Sequence, residues 1–226
     1  MDEDIRRCLQ QDGTPSASVA VVEGGQITYL AAFGDAVLHP KKAASEKTRY
    51  QLASISKTFT AQAILLLEAD GKLSLEDKVS KWYPGLSGAA DITLRELLNH
   101  TSGYPDHYPQ TYPAGPRGKA TKPDQIIDEW GRHPLLFPPG TQFHYSNLEY
   151  EIVGRIVEKV SGQSLFQFME ERIFAPLHMD ATIDLDIIPD GSSALATLQQ
   201  VTRGQRLQAW NQLRMKGRGA RLEQDR

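Results

Sequence analysis

Residues Ser16–Glu23 are small and β-branched, with Val19, Val21 and Val22, and Gln26–Gly34 carries Ile27, Tyr29 and Phe33. Between the two runs stands Gly24-Gly25, the kind of two-residue turn that joins antiparallel strands. A lone hairpin is marginal in water and normally belongs to a larger sheet, so this pair commits the chain to building one. Little else in the sequence supplies strands. After Thr182 the candidates are Ile183–Ile188 and Ala194–Val201, and neither alternates cleanly. The chain begins a sheet that its visible pattern does not finish.

The remaining periodicity is helical. Asp2–Gln11 reads as a short helix ahead of the hairpin. Leu52–Asp70 holds no Gly or Pro, repeats Ile55, Phe59, Ala63, Leu66 and Leu67 near helical spacing, and is closed by Gly71. Ser74–Trp82 reads as a short helix with Ser74 and Asp77 as a capping box, and Asp91-Ile92-Thr93 as the cap of another running through Leu98. Residues Gly103–Pro123 hold five prolines and form a long loop of the kind that often carries function. Asp124–Arg132 is predicted helical, and Pro138-Pro139-Gly140 is a hard turn. A helix with Leu148, Ile152, Val153, Ile156, Val157 and Val160 on one face ends at Gly162, and Ser164–Phe174 is a further helix stopped by Pro176.

Composition narrows the function classes. With 226 residues, 40% hydrophobic and 23% charged, the chain can bury a real core. No run approaches the roughly 18 apolar residues of a membrane span. The single Cys8 allows neither an internal disulfide nor a cysteine-based zinc site. A net charge of −3 gives no reason to expect nucleic acid. That average hides a difference: residues 203–226 hold seven basic and two acidic side chains, leaving the remainder at −8. The start, Met1-Asp2-Glu3-Asp4-Ile5-Arg6-Arg7, is not an export signal. The expectation is a cytoplasmic chain as written, which an upstream segment would reverse.

Chemistry concentrates at Ser54-Ile55-Ser56-Lys57, at the start of the Leu52 helix. Residues three apart on a helix share a face, so Lys57 can reach the Ser54 hydroxyl. Free N–H groups at a helix start favour an alkoxide or oxyanion, and an apolar setting would lower a lysine's pKa. The spacing alone is weak, because Ser-x-x-Lys arises about once by chance in such a chain, and a solvated Ser and Lys is the plain alternative. Tyr145-Ser146-Asn147 is the second feature. Tyr145 could move a proton and Asn147 could bind an amide or orient Lys57, while helix capping by Ser146 or Asn147 is the competing reading. His100 and His107 could share a metal, but only Asp106 is near in sequence, and His144 reads as structural. Gly85-Leu86-Ser87-Gly88-Ala89 lacks the final Gly of a nucleophile elbow. No metalloprotease, P-loop or dinucleotide motif is present in the sequence.

Taken together, these residues resemble the serine β-lactamase and penicillin-binding-protein superfamily, in its class C β-lactamase, D-Ala-D-Ala peptidase and family VIII esterase branch. Ser-x-x-Lys is a marker of penicillin-recognising enzymes. The run from Tyr50 through Ser54 and Lys57 to Ala61 resembles the family's nucleophile block, and Asp70–Asp77 the stretch after it. Leu97-Leu98-Asn99-His100-Thr101-Ser102-Gly103 is similar to its LLxHTSG stretch. Phe137-Pro138-Pro139-Gly140 leads into Tyr145-Ser146-Asn147, and Ala175–Thr182 resembles its PLGM-x-x-T block.

The resemblance implies a mixed α/β fold of the β-lactamase/transpeptidase type, an antiparallel sheet flanked by helices plus a helical subdomain. It places a serine hydrolase domain at 1–182, with the sheet part at about 1–50 and the mostly helical part at about 51–182, before an atypical basic tail at 183–226. It implies Ser54 as acylated nucleophile, Lys57 and Tyr145 as proton-transfer pair, Asn147 as substrate-amide contact and the Ser54 N–H as half of an oxyanion hole. The implied partner is a small ester or amide substrate; no metal or organic cofactor is implied, and no nucleic acid or membrane span is expected. Relatives are often exported. The family's third motif, Lys/His-Thr/Ser-Gly, lies on a later strand, and residues 180–226 contain no such triplet. The expectation is a C-terminally incomplete member, truncated or frame-shifted near Gly191, with its sheet incomplete. A catalytically impaired remnant or a binding module of the same fold is the alternative.

Overall fold

Gly24 and Gly25 take φ of 56° and 77°, the left-handed pair that a two-residue hairpin turn requires. Strand β1 (Ser16–Glu23) and strand β2 (Gln26–Leu38) pair antiparallel around them, Glu23 opposite Gln26 and Ser16 opposite Gly34, with a bulge at Val21/Val22. The computed structural model describes residues 1–50, 52–107 and 122–184. They fall into two units, residues 1–50 with Asp184, and Leu52–Ile183.

In the first unit the second strand runs four residues past its expected end. Gly34 permits this because the backbone passes Pro15 closely: φ is 75°, and a Cβ there would stand 2.1 Å from the Pro15 carbonyl oxygen. The chain then returns as β3 (Lys41–Ala43), giving the sheet order β1-β2-β3 among the described residues. Helix α1 (Asp2–Asp12), ended by left-handed Gly13, is tied to the hairpin. The Tyr29 hydroxyl donates to Asp2 Oδ1 at 2.6 Å, and the Arg6 guanidinium lies 4.9 Å from the Phe33 ring centroid. Of the later strand candidates, Ile183 and Asp184 are not in a strand, and the rest of 183–188 and all of 194–201 lie outside the described residues, as does the basic tail.

The second unit is helical: α2 (Ser56–Ala69), α3 (Leu94–Leu98), α4 (Pro123–Trp130), α5 (Asn147–Ser161) and α6 (Leu165–Met169), the last continuing as a π-turn over Glu170–Phe174. The apolar face expected of α5 packs against α2, α3 and α4. Leu148, Ile152, Val153, Ile156 and Val157 meet Ala63, Ile64, Leu67, Leu94, Leu97 and Ile127, all buried. Each large aliphatic side chain so placed contributes about 1.5–3 kcal/mol. Helix α3 starts in a full capping box, Thr93 and Glu96 each bonding the other's backbone N–H.

The expected helix over Ser74–Trp82 is not one. Only Val79–Lys81 coils, as a 3₁₀ turn. Ser74 N–H does bond the Asp77 carboxylate at 3.0 Å, but in a turn. The segment's backbone pairs with residues 89–95 instead: Val79 N–H to Ile92 O, Leu94 N–H to Asp77 O and Arg95 N–H to Leu75 O. Those cross-chain bonds consume groups that a helix would need internally.

Candidate active site

Ser54 lies just ahead of α2, in a 3₁₀ turn over Ala53–Ile55, rather than in the α-helix itself. Ala53 takes φ of 48°, a left-handed conformation costing about 1–2 kcal/mol for a residue with a Cβ. That bend sets the Ser54 hydroxyl at the mouth of the helix. Lys57, one turn on, extends Nζ to 3.4 Å from Ser54 Oγ.

The second half of the site comes from the segment entering α5. Tyr145 Oη stands 2.7 Å from Ser54 Oγ and 3.3 Å from Asn147 Oδ1; Lys57 Nζ donates to the same Oδ1 at 2.7 Å. The four residues singled out in the sequence, Ser54, Lys57, Tyr145 and Asn147, therefore form one hydrogen-bonded cluster. A tyrosine hydroxyl has one proton. When Tyr145 donates it to Asn147, the Ser54 proton points to Tyr145 Oη and the remaining Ser54 lone pair faces Lys57. The surroundings of Lys57 differ from the apolar ones expected. Its ammonium sits among these acceptors and 5.0 Å and 5.6 Å from the ring centroids of Tyr145 and Tyr150.

Capping of α5 also departs from expectation. Ser146 holds the N-cap position as expected, but its side chain makes no cap bond: Ser146 Oγ donates to the Pro105 carbonyl, and the Asn147 side chain is taken up by Lys57, Tyr145 and Asp106. Asp106 serves instead from the end of another segment. Its Oδ1 accepts the Asn147 backbone N–H at 2.9 Å, and its two oxygens take the Asn147 side-chain NH₂ at 3.3 and 3.2 Å. A carboxylate only accepts, so it fixes the amide with Oδ1 toward Lys57. The Asp106 side chain is 5% exposed. Beside it, burial and the Lys57 charge hold the His107 imidazole below its usual pKa, against the pull of Asp106.

Beneath Tyr145 lies a polar cluster that sequence reasoning did not assign. Glu149, on the first turn of α5, is fully buried. Its carboxyl bonds His100 Nδ1 in a very close contact and accepts from Ser102 Oγ at 2.5 Å. Burial pushes the Glu149 pKa up, while these two partners pull it down. Tyr150 donates its hydroxyl to Leu98 O at 2.9 Å, and burial, with Glu149 and Tyr145 nearby, raises its pKa. The one legible signal for this cluster was the stretch containing His100 and Ser102. The sequence marked Asp106 only as the acid near His100 and His107, and nothing in it marked Glu149. His100 and His107 thus engage carboxylates, and among the described residues no group of three or more His, Cys, Asp or Glu could hold a metal ion. Residues 108–121 of the long loop lie outside the described residues.

The cluster sets a serine hydroxyl within hydrogen-bond reach of a phenol and an ammonium, with a side-chain amide bonded to both of the latter. Comparison with known proteins adds to this geometry. A family model described as Beta-lactamase matches residues 1–214. Penicillin-binding protein 4* of Bacillus subtilis strain 168 is 38% identical over 169 residues, covering 74% of this chain and 37% of that protein. Protein flp of Staphylococcus aureus strain N315 is 33% identical over 187 residues, covering 80% and 37%. A class C beta-lactamase in complex with cefoxitin superposes with a TM-score of 0.70 at 27% identity, over 82% of this chain and 51% of that one. The D-amino acid amidase of Ochrobactrum anthropi SV3, complexed with L-phenylalanine, gives 0.69 at 30% identity, over 79% and 50%. The chain spans 37% of the length of both curated relatives.

Proposed function

The chain belongs to the beta-lactamase family, and from that premise we propose that it is a serine hydrolase working through an acyl-enzyme on Ser54. The observation that carries the reading is the shared contact of Ser54 Oγ with Tyr145 Oη at 2.7 Å and Lys57 Nζ at 3.4 Å. In acylation the Tyr145–Lys57 pair works with one proton removed, as amine beside phenol or phenolate beside ammonium; Ser54 Oγ attacks the substrate carbonyl carbon and its proton passes into that vacancy. The pair returns that proton to the leaving alcohol or amine as the carbonyl–heteroatom bond breaks. Water then attacks the acyl carbon, gives its proton to the same pair, and Ser54 takes a proton back as the acid leaves. Asn147 holds Lys57 in place and offers an amide contact to the substrate, and the Ser54 N–H supplies one oxyanion donor.

The substrate class is a small ester or an amide, the latter including a β-lactam or a D-amino-acid amide or peptide. The amide branch is supported by the similarity to penicillin-binding proteins and to a D-amino acid amidase. Incubation with a fluorophosphonate or a labelled penicillin tests the reading: a covalent adduct mapped to Ser54, and lost in Ser54→Ala, is the expected result. Folded protein that carries no adduct, or an alanine variant that labels equally, overturns it. Reversible binding without acylation would mark the chain as a binding module.

A further inference from the structure

His100 grips the segment that carries Tyr145 from several sides at once. Its ring lies 4.6 Å from the Tyr145 ring and 5.3 Å from that of Tyr150, centroid to centroid, and meets Phe143 edge-on at 5.9 Å. Its carbonyl accepts the His144 N–H at 2.9 Å, and its Nδ1 lies 3.4 Å from the Ser146 N–H. Residues 143–146 therefore all touch this one histidine. Its own backbone sits at φ of 63°, so the ring is delivered by a left-handed residue at the end of α3 and not by a regular helix.

What holds the ring is Glu149, fully buried, with Ser102 on its other oxygen. A buried carboxyl without partners is costly. It is tolerated here because imidazole and hydroxyl satisfy it. Glu149 bonds the His100 ring, and that ring meets Tyr145, so the cluster bears on the reacting groups through His100. We propose that His100, anchored by Glu149 and Ser102, is a positioning residue that sets the Tyr145 ring so that its hydroxyl stays within transfer distance of Ser54. This rests on the hydrolase reading above. The cluster would keep Tyr145 Oη, at 2.7 Å from the nucleophile, in a near-attack arrangement, where misplacement by about 1 Å can cost about 10²-fold in rate.

The full chain tests this in three forms: parent, His100→Asn and Glu149→Gln. Asn presents a side-chain N–H near the place of Nδ1 and can keep the bond to Glu149, but it removes the ring under Tyr145. Gln is the same size as Glu149 and leaves the ring present but differently anchored. The readout is the fluorophosphonate acylation rate of Ser54 at saturating reagent, with the half-saturation concentration, alongside a cooperative thermal melt. For folded His100→Asn the rate falls at least about tenfold while half-saturation stays within about twofold. A folded variant with only its melting point lowered and its rate unchanged overturns the proposal. If His100→Asn does not fold, Glu149→Gln decides. Its rate must fall at least about threefold, and the ¹³Cζ signal of Tyr145, assigned by its loss in Tyr145→Phe, must move. An unchanged rate and signal overturn the proposal. A parent that takes no label defeats the hydrolase reading instead, and the Tyr145 signal in Glu149→Gln alone then decides the positioning role: displaced supports it, unmoved refutes it.

Discussion

Asp106→Ala separates two jobs that one carboxylate performs. The side chain is 5% exposed, accepts the first N–H of α5 at 2.9 Å and fixes the Asn147 amide through both oxygens. Loss of the cap costs about 1 kcal/mol. Loss of a negative charge at a helix N-terminus adds about 0.3–1 kcal/mol, and the amide N–H left without its acceptor adds about 1 kcal/mol in a site this enclosed. The expected cost is therefore about 2–3 kcal/mol. Asp106→Asn retains an oxygen for the backbone N–H and loses chiefly the charge, so it should cost about 1 kcal/mol or less. Urea unfolding of the full chain measures both, the midpoint moving with the slope unchanged. With the amide of Asn147 free to turn, Lys57 loses its 2.7 Å acceptor, and acylation of the folded alanine variant should slow as well. If Asp106→Ala and Asp106→Asn are equally stable, or the alanine variant loses under about 0.5 kcal/mol, the capping assignment is wrong.

Tyr145→Phe keeps the ring in its tilted contact with His100 and deletes the 2.7 Å partner of Ser54; labelling of Ser54 should slow by about 10²–10⁴ with the melting temperature nearly unchanged, read by single-turnover adduct formation. Gly34→Ala forces a Cβ to 2.1 Å from the Pro15 oxygen at φ of 75°, and should destabilise by at least about 1–3 kcal/mol in a urea titration. Glu149 makes stability depend on pH. Its folded pKa is raised, with burial the largest cause, so its contribution is fully present below the usual carboxylate range and is lost as pH rises through the raised value. Urea midpoints of the parent relative to Glu149→Gln should accordingly fall between acid and neutral pH; a difference that rises or stays flat contradicts this sign.

Features whose physics is local could be read from the sequence. The hairpin followed from β-branched residues around Gly24-Gly25, the core face of α5 from the spacing of Leu148, Ile152 and Ile156, and the cap of α3 from Thr93. The Ser54–Lys57 contact follows from three-residue spacing even though the turn proved to be 3₁₀. Features set by distant partners could not be read. Strand β3 is three residues, Lys41-Lys42-Ala43, with no alternation to detect. Ser74–Trp82 has a convincing cap pair, but its backbone bonds go to residues 89–95. Asp106 sits 41 positions from the helix it caps, in a stretch that reads only as proline-rich loop. Glu149 looks like an ordinary first-turn acid until His100, 49 positions away, is placed against it.

Helix α5 carries Asn147 and Glu149 at its first turn and the buried aliphatic face along the rest, against α2, which follows Ser54 and carries Lys57. Lys57 and Asn147 thus hang on the same pair of helices as the core. Loosening this pair of helices by heat therefore displaces Lys57 and Asn147 together with the core. Loss of Ser54 labelling on heating should follow the same curve as loss of helical signal, with no warm interval in which a folded protein that takes no label accumulates. A scan of random substitutions should likewise find few positions in α5 where lost activity and lost yield come apart.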